Sequence, residues 1–238
     1  MRLNYIDNID CLEGLKEIPD NSVDLIVTDP PYGIGIKSQG SDSGTKKSKL
    51  NPWADMCNAS FWYSAWLSEC QRILKDDGAV WSFINWRYFT TLQKAGLDIG
   101  WSVESLLIWD KGLIGTGGQK GLRPCYEQVM LFTKPNFRIE DRSLRDIQYF
   151  QWKTIKPTGH PAEKPLDLIR WLMQISGKTK GAVIVDPFMG SGTTAVAAAL
   201  EGANYIGFEM DANWVEKAQK RIASTAQEVA EAEAVAGD

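Results

Sequence analysis

Apolar and polar positions along the chain alternate between two periods. Val23–Thr28 ("VDLIVT") is a short, largely apolar and β-branched run of the kind that becomes a buried strand. Leu3–Ile6, Ala79–Ile84, Ala182–Val185 and Tyr205–Phe208 are runs of the same type. Between them lie stretches with helical spacing, over Cys11–Glu17, Asn58–Lys75, Arg87–Ala95, Pro165–Ser176, Thr193–Glu201 and Asn213–Ser224. Asp76-Asp77-Gly78 closes the second of these, and Gly177 follows the end of the fourth, which opens on Pro165. Val103–Trp109 and Gln128–Thr133 follow one another with no helix between them, which predicts an antiparallel pair. Pro135–Pro161 has no clear period, and Ala226–Ala236 either extends the last helix or frays.

Strands alternating with helices call for a mostly parallel sheet covered on both faces. The expectation is one Rossmann-like α/β domain over residues 1–238. It has a seven-stranded sheet with an antiparallel hairpin at one edge. Two segments interrupt it. Residues 33–52 form a long Gly/Ser/Lys loop, expected to be flexible, and residues 134–160 form a short insertion without repeat or period.

Composition narrows the setting. A hydrophobic fraction of 44% and a charged fraction of 24% in 238 residues are those of an ordinary globular chain. No apolar run approaches the ~20 residues of a membrane span, and the first ten residues lack a signal-peptide pattern. Four scattered cysteines and a single histidine, His160, argue against a zinc site or a disulfide framework. A cytoplasmic, metal-free protein with no membrane partner is expected.

The net charge of −4 disfavours nucleic acid, but its distribution does not. Residues 1–36 carry two basic and seven acidic side chains, and residues 201–238 carry three and eight. Residues 37–49 carry four and one, and residues 111–160 carry nine and four. Positive charge confined to two stretches is the footprint that phosphate binding requires; solvated loops would also give it.

Two strand ends carry chemistry. The first is "DPPY" (Asp29–Tyr32), where a carboxylate is followed by two prolines and an aromatic ring. Proline donates no hydrogen bond, so nearby carbonyls stay open to a ligand, and an ionised aspartate only accepts. An amino group held between Asp29 and the Pro30 carbonyl has both hydrogens engaged and its lone pair directed elsewhere. Tyr32 offers a flat face on which a purine can stack, a contact worth ~1–3 kcal/mol. The second is "DPFMGSGTT" (Asp186–Thr194), a strand end and a glycine turn that opens a helix at Thr193. The next strand ends in Glu209, suited to accept from both hydroxyls of a ribose. Ala195 stands where a dinucleotide fold wants its third glycine, and no lysine follows Gly192, so neither a dinucleotide loop nor a phosphate loop fits. The turn fits an adenosine with little need for phosphate grip; a plain tight turn is the structural alternative.

These motifs resemble those of S-adenosylmethionine-dependent DNA amino-methyltransferases. DPPY is similar to their catalytic motif and DPFMGSGTT to their cofactor loop. "HPAEKP" (His160–Pro165) is similar to the segment before that loop, and "IDCLEGL" (Ile9–Leu15) to the acidic turn at the cofactor's adenine. Catalytic motif first and cofactor loop last is the order of the β class. The resemblance implies a methyltransferase fold that transfers a methyl from S-adenosyl-L-methionine to an exocyclic amine of an extruded base in double-stranded DNA. The aspartate form implies adenine N6. Cytosine N4 is the alternative, a non-catalytic DNA-binding partner with the same fold the rival, and an oxidoreductase the distant third.

By the same resemblance Asp29, Pro30, Pro31 and Tyr32 are catalytic. Asp10, Cys11, Asp29, Lys164, Phe188, Gly190, Ser191, Gly192, Thr193 and Glu209 hold the cofactor. Asp10 also reads as an N-cap, Phe188 as a core ring, Lys164 as the start of a helix, and Asp186 as structural. Lys46, Lys47 and Lys49 would grip phosphate; Arg138, Arg142, Arg145 and Lys153 lie in the segment that reads sequence in this family. Trp152 is the tryptophan to test for base contact. Family members often pair as dimers, and many serve restriction–modification.

Overall fold

The computed structural model describes residues 1–31, 56–112, 121–152, 158–159 and 162–236. Its elements run β1 (Tyr5–Asp7), α1 (Cys11–Lys16), β2 (Val23–Thr28), α2 (Met56–Ile73), β3 (Leu74–Ile84), α3 (Phe89–Asp98), β4 (Ser102–Asp110), β5 (Tyr126–Thr133), β6 (Ile147–Tyr149), α4 (Leu166–Ile175), β7 (Val183–Asp186), α5 (Thr193–Leu200), β8 (Asn204–Phe208) and α6 (Ala212–Ala236). The strands form one sheet in the order β1-β8-β7-β2-β3-β5-β4-β6. Among the described residues it has eight strands, one more than the sequence pattern predicts. The addition is β6, which pairs parallel to β4 through Ile108 opposite Ile147. The antiparallel pair β4–β5 is therefore not the sheet edge; β6 lies outside it.

Period-two alternation assigns each strand's side chains to two cores. Leu25, Val27, Ala79, Trp81, Phe83, Val129, Leu131 and Ile184 face the layer formed by α4, α5 and α6. Val23, Ile26, Val80, Ile84, Met130, Phe132, Val185 and Ile206 face α1, α2 and α3. Strands buried on both faces read as continuous apolar runs, which is why β2 is legible to the residue. Most tryptophans whose burial is described are core rings, with Trp66 and Trp109 fully buried, but Trp86 is 56% exposed with the Arg87 guanidinium over its ring.

Residues Asp76-Asp77-Gly78, expected to close a helix, instead lie inside β3 as a register irregularity. Val23 pairs with Leu74 and Leu25 with Ala79, so the intervening residues loop out. The helix has already ended at Ile73. At the far end, α6 continues through the Ala/Glu-rich tail to Ala236.

β2 runs through α2 to β3 on one side, and β7 runs through α5 to β8 on the other. The strand order reverses between β2 and β7, the switch point at which open α/β sheets form a ligand crevice beyond the carboxyl ends of their strands. One buried group ties these ends together. Asp186 accepts from the Thr28 hydroxyl at 2.7 Å, the Thr194 hydroxyl at 2.7 Å and the Phe188 N–H at 3.0 Å. Burial pushes its carboxyl up to about 6, against the pull of the Thr194 and Thr28 hydroxyls toward the ionised form.

Two outcomes test this architecture. Asp186 has a folded-state pKa above its unfolded 3.8, so its contribution is fully present below that value and is lost as pH rises through about 6. The stability advantage of wild type over Asp186→Asn should therefore shrink by about 2 kcal/mol between pH 4 and 7. Urea titrations across that range read it; a constant difference would contradict the burial argument. Gly14 in α1 faces Phe208, whose ring would lie 2.4 Å from an added Cβ. Gly14→Ala gains about 1 kcal/mol of helix propensity but overpacks a buried ring at a cost of about 1–3 kcal/mol, so the urea midpoint should fall.

Candidate active site

Parallel strands β1, β8, β7, β2 and β3 end on one edge of the sheet, so the residues that follow them share it. Asp10 follows β1, Glu209 follows β8, the Gly190-Ser191-Gly192 turn follows β7, and Asp29-Pro30-Pro31 follows β2. The two motifs singled out in the sequence, 157 residues apart from Asp29 to Asp186, thus flank one crevice.

The turn is built by glycine geometry. Gly190 and Gly192 have φ of 51° and 83°, and a Cβ on Gly192 would lie 2.8 Å from the Ala218 methyl. Only glycine satisfies both requirements at Gly192. Glu209 clamps the turn from β8: Oε2 accepts the Gly190 N–H at 2.9 Å and Oε1 accepts the Asp211 N–H at 2.8 Å. Arg221 of α6 braces it from below, donating to the Thr193 hydroxyl at 3.0 Å and the Ser191 carbonyl at 3.3 Å. The same guanidinium pairs with Glu163 at 3.3 Å, and Glu163 accepts from the Thr158 hydroxyl at 2.5 Å. The segment before α4 and the glycine turn are in this way joined through one buried carboxylate.

Asp10 is the N-cap of α1, accepting from the Leu12 N–H at 2.9 Å. Cys11 behind it is buried, and its thiol is pushed up to about 12 by burial, so it stays neutral. Phe188 is half-buried, with ring centroids 5.3 Å from Trp62 and 5.9 Å from Trp66. Next to these rings two buried donors, the Tyr63 hydroxyl and the Trp66 Nε1–H, have no hydrogen-bond partner among the described residues.

Asp29 is half-buried and Pro30 is buried at the other wall. Lys164 does not start a helix: α4 begins at Leu166 with Pro165 at its N-cap. Its ammonium instead pairs with Asp29 Oδ2 at 2.5 Å and Glu127 Oε2 at 3.2 Å. Lys111 pairs with the other oxygen of Glu127. Burial works against the Lys164 charge, but Asp29 and Glu127 outweigh it and raise its pKa. Burial also raises the Glu127 carboxyl, and the Lys164 and then Lys111 ammonium groups together bring it below the ordinary range.

Sequence reasoning missed Glu127, Lys111 and the Asp29 contact of Lys164; each comes from a separate element, and no local pattern marks them. It missed Arg221 for the same reason. Tyr32, Lys46, Lys47, Lys49, Lys153 and His160 lie outside the described residues, as does the 33–52 loop. Arg142 and Arg145 are exposed, whereas Arg138 spends Nη1 on the carbonyls of Pro135 and Phe137. Trp152 packs against the core on the α4–α6 side, with the Lys111 ammonium 5.7 Å from its ring. Among the described residues no helix is long and apolar enough to cross a membrane.

Chemically, the edge offers carboxylate acceptors at Asp10 and Glu209, a glycine turn between them, and a carboxylate held by a lysine across the crevice. Each Glu209 oxygen has accepted one N–H and keeps a second lone pair for a hydroxyl donor.

Comparison with known proteins agrees with this geometry. The sequence profile of a family described as DNA methylase matches residues 23–220. The type II methyltransferase M.HpaI of Haemophilus parainfluenzae is 28% identical over 240 residues, which cover 90% of this chain and 72% of that protein. Two solved structures share the fold. M1.HpyAVI, in complex with SAM, has a TM-score of 0.65 at 21% identity, covering 91% of this chain and 98% of its own. The cytosine-N4-specific PvuII DNA methyltransferase has a TM-score of 0.72 at 16% identity, covering 96% and 93%. With the profile spanning most of its length, from the strand before Asp29 to the helix that braces the glycine turn, the chain belongs to the DNA methylase family.

Proposed function

We propose that this chain transfers a methyl group from S-adenosyl-L-methionine to N6 of adenine in double-stranded DNA, on a base turned out of the helix. The observation that carries the reading is the pairing of Asp29 with the Gly190–Gly192 turn across one crevice, fixed by the Thr28–Asp186 hydrogen bond. A reaction between an amine and a methyl donor needs two binding walls held in register, and well-oriented reactants gain several kcal/mol over free encounter.

The residues present fit the cofactor. Glu209 retains acceptor capacity for ribose hydroxyls, Asp10 stands at the acidic turn that would meet the adenine, and Phe188 supplies a half-buried ring. Gly190 and Gly192 carry no side chain, which leaves the backbone on either side of Ser191 open to close approach. When bound there, S-adenosyl-L-methionine would supply an electrophilic methyl group, its S–CH3 bond breaking as the new bond forms and its sulfur leaving as a neutral thioether.

Asp29 and the Pro30 carbonyl accept the two hydrogens of the target amine. This draws its lone pair out of conjugation with the ring and aims it across the crevice. Tyr32 stacks on the extruded base; this role comes from the motif, since the residue lies outside those described. As the new N–C bond forms, the nitrogen acquires positive charge, which the Asp29 carboxylate stabilises by its field. The excess proton then leaves to solvent, so the chain requires no general base. The basic residues Arg142 and Arg145, with Lys46, Lys47, Lys49 and Lys153, supply the phosphate and base contacts.

Aspartate at the first position of DPPY favours adenine over cytosine N4. Digestion of methylated DNA to nucleosides should give N6-methyladenine; N4-methylcytosine would move the assignment to the other base. Asp29→Ala should reduce turnover by at least 10³-fold, on the order expected for loss of a group that both orients and stabilises charge, while affinity for duplex DNA stays. Tritium transfer and a binding titration read the two quantities, and turnover at the wild-type rate would remove Asp29 from the reaction.

A further inference from the structure

Lysine is among the residues least often buried, because taking an ammonium out of water is costly unless it is paired. The Lys164 side chain is only 9% exposed. Its ammonium lies between two carboxylates, Asp29 and Glu127, and 5.0 Å from the centre of the Phe83 ring. Glu127 is in turn shared with Lys111, which stands 5.1 Å from the Trp109 ring and 5.7 Å from Trp152. The result is a row of alternating charges, Lys111–Glu127–Lys164–Asp29, drawn from the residue after β4, from β5, from the segment before α4, and from the residue after β2. A largely enclosed row of this kind, with Lys164 at 9% and the other side chains at 20–26% exposure, is weak evidence of stabilisation, since apolar residues of similar volume often do as well. Its use must lie elsewhere, and the member at its end, Asp29, is the one that belongs to DPPY.

We infer that Lys164 and Glu127 are positioning residues for Asp29: Lys164 grips one oxygen of the carboxylate and fixes its rotation and charge, and Glu127 holds Lys164 in place. This rests on the reading that Asp29 receives the target amine. A carboxylate that must accept two contacts in a set direction loses reach if it rotates or takes up a proton. Lys164 opposes both, through a short charge-assisted bond. Glu127 keeps that ammonium from moving wholly onto Asp29, and Lys111 neutralises the excess negative charge. Lys111 also carries the row to Trp152, whose backbone N–H donates to the Lys111 carbonyl at 3.4 Å. The arrangement of Asp29 is thereby set from the strands on the far side of β3.

Among the described residues the groups that face Asp29 are Lys164 and, through it, Glu127 and Lys111; Asp186 of β7, whose carboxyl Asp29 helps to raise; and the Tyr63 phenol of α2, which Asp29 also raises after burial has done so. The signs of two substitutions are therefore opposite. Lys164→Met removes a positive neighbour from Asp29, and Glu127→Gln removes a negative one.

The test is a 13C NMR titration of aspartate-carboxyl-labelled full-length protein, with the Asp29 signal assigned by its loss in Asp29→Asn. In Lys164→Met the Asp29 midpoint should move up by about one to three pH units, the range for an opposite charge at this distance. In Glu127→Gln it should stay or move down. Steady-state methyl transfer to mixed-sequence duplex DNA should show kcat reduced about 10²-fold in Lys164→Met, the scale of a small misplacement, with KM for DNA unchanged. An unmoved Asp29 midpoint in Lys164→Met, or an upward shift in Glu127→Gln, would overturn the inference. Should Lys164→Met fail to fold, Lys164→Arg keeps the charge and displaces the contact: the midpoint must then stay while kcat falls. Turnover in Asp29→Ala would instead sink the role of Asp29 and leave the titration result standing, so the two failures are separable.

Discussion

Everything at the carboxyl edge of the sheet depends on one buried carboxylate. Asp186 takes hydrogen bonds from the end of β2 and from the first turn of α5, so it joins the strand that precedes DPPY to the helix that follows the glycine turn. Backbone pairing between β2 and β7 covers only Leu25–Ile184 and Ile26–Val185. The last residues of both strands would otherwise be free to splay where the crevice opens. A side chain with four lone-pair positions can satisfy two hydroxyls and an N–H at once, which an apolar residue there could not. Unlike the half-buried Asp29, it is fully enclosed.

Around that tie, each wall of the crevice is held by charge on a different layer. Glu209 of the β8 end and Arg221 of α6 hold the glycine turn through backbone and hydroxyl contacts. Lys164 and Glu127 hold Asp29. Arg221 and Lys164 are further linked because Glu163, the residue before Lys164, pairs with Arg221. The short segment Ala162–Pro165 therefore contacts both walls. In physical terms the segment is a bridge: Glu163 reaches Arg221 beside the glycine turn, and Lys164 reaches Asp29 after β2.

Much of the fold was legible because its signals are local. Val23–Thr28 forms a strand to the residue, since a doubly buried parallel strand needs an unbroken apolar run. Gly192 was legible because its backbone geometry admits little else. The antiparallel nature of β4 and β5 followed from the absence of a helix between them. β6 was not legible: Ile147-Gln148-Tyr149 is three residues long, and it is a strand only because β4 supplies its partners. The looped start of β3 was hidden for a similar reason, as Asp76-Asp77-Gly78 has the chemistry of a stop but lies between two pairing points. At the site, Asp29 and Glu209 were marked by their place after strands. Lys164 carried no such mark. Its partner lies 135 residues away, and the contact exists only because the sheet order sets β2, β3 and β5 side by side.

The two outermost strands, β1 and β6, are each three residues long. Among the described residues the eight-stranded sheet thus ends on both sides in strips of main chain too brief to template the growth of a further strand. Arg145 and Asp146 stand immediately before one of them, adding charge at that border. Among the described residues, continuous sheet formation across either border has almost no free backbone to start from.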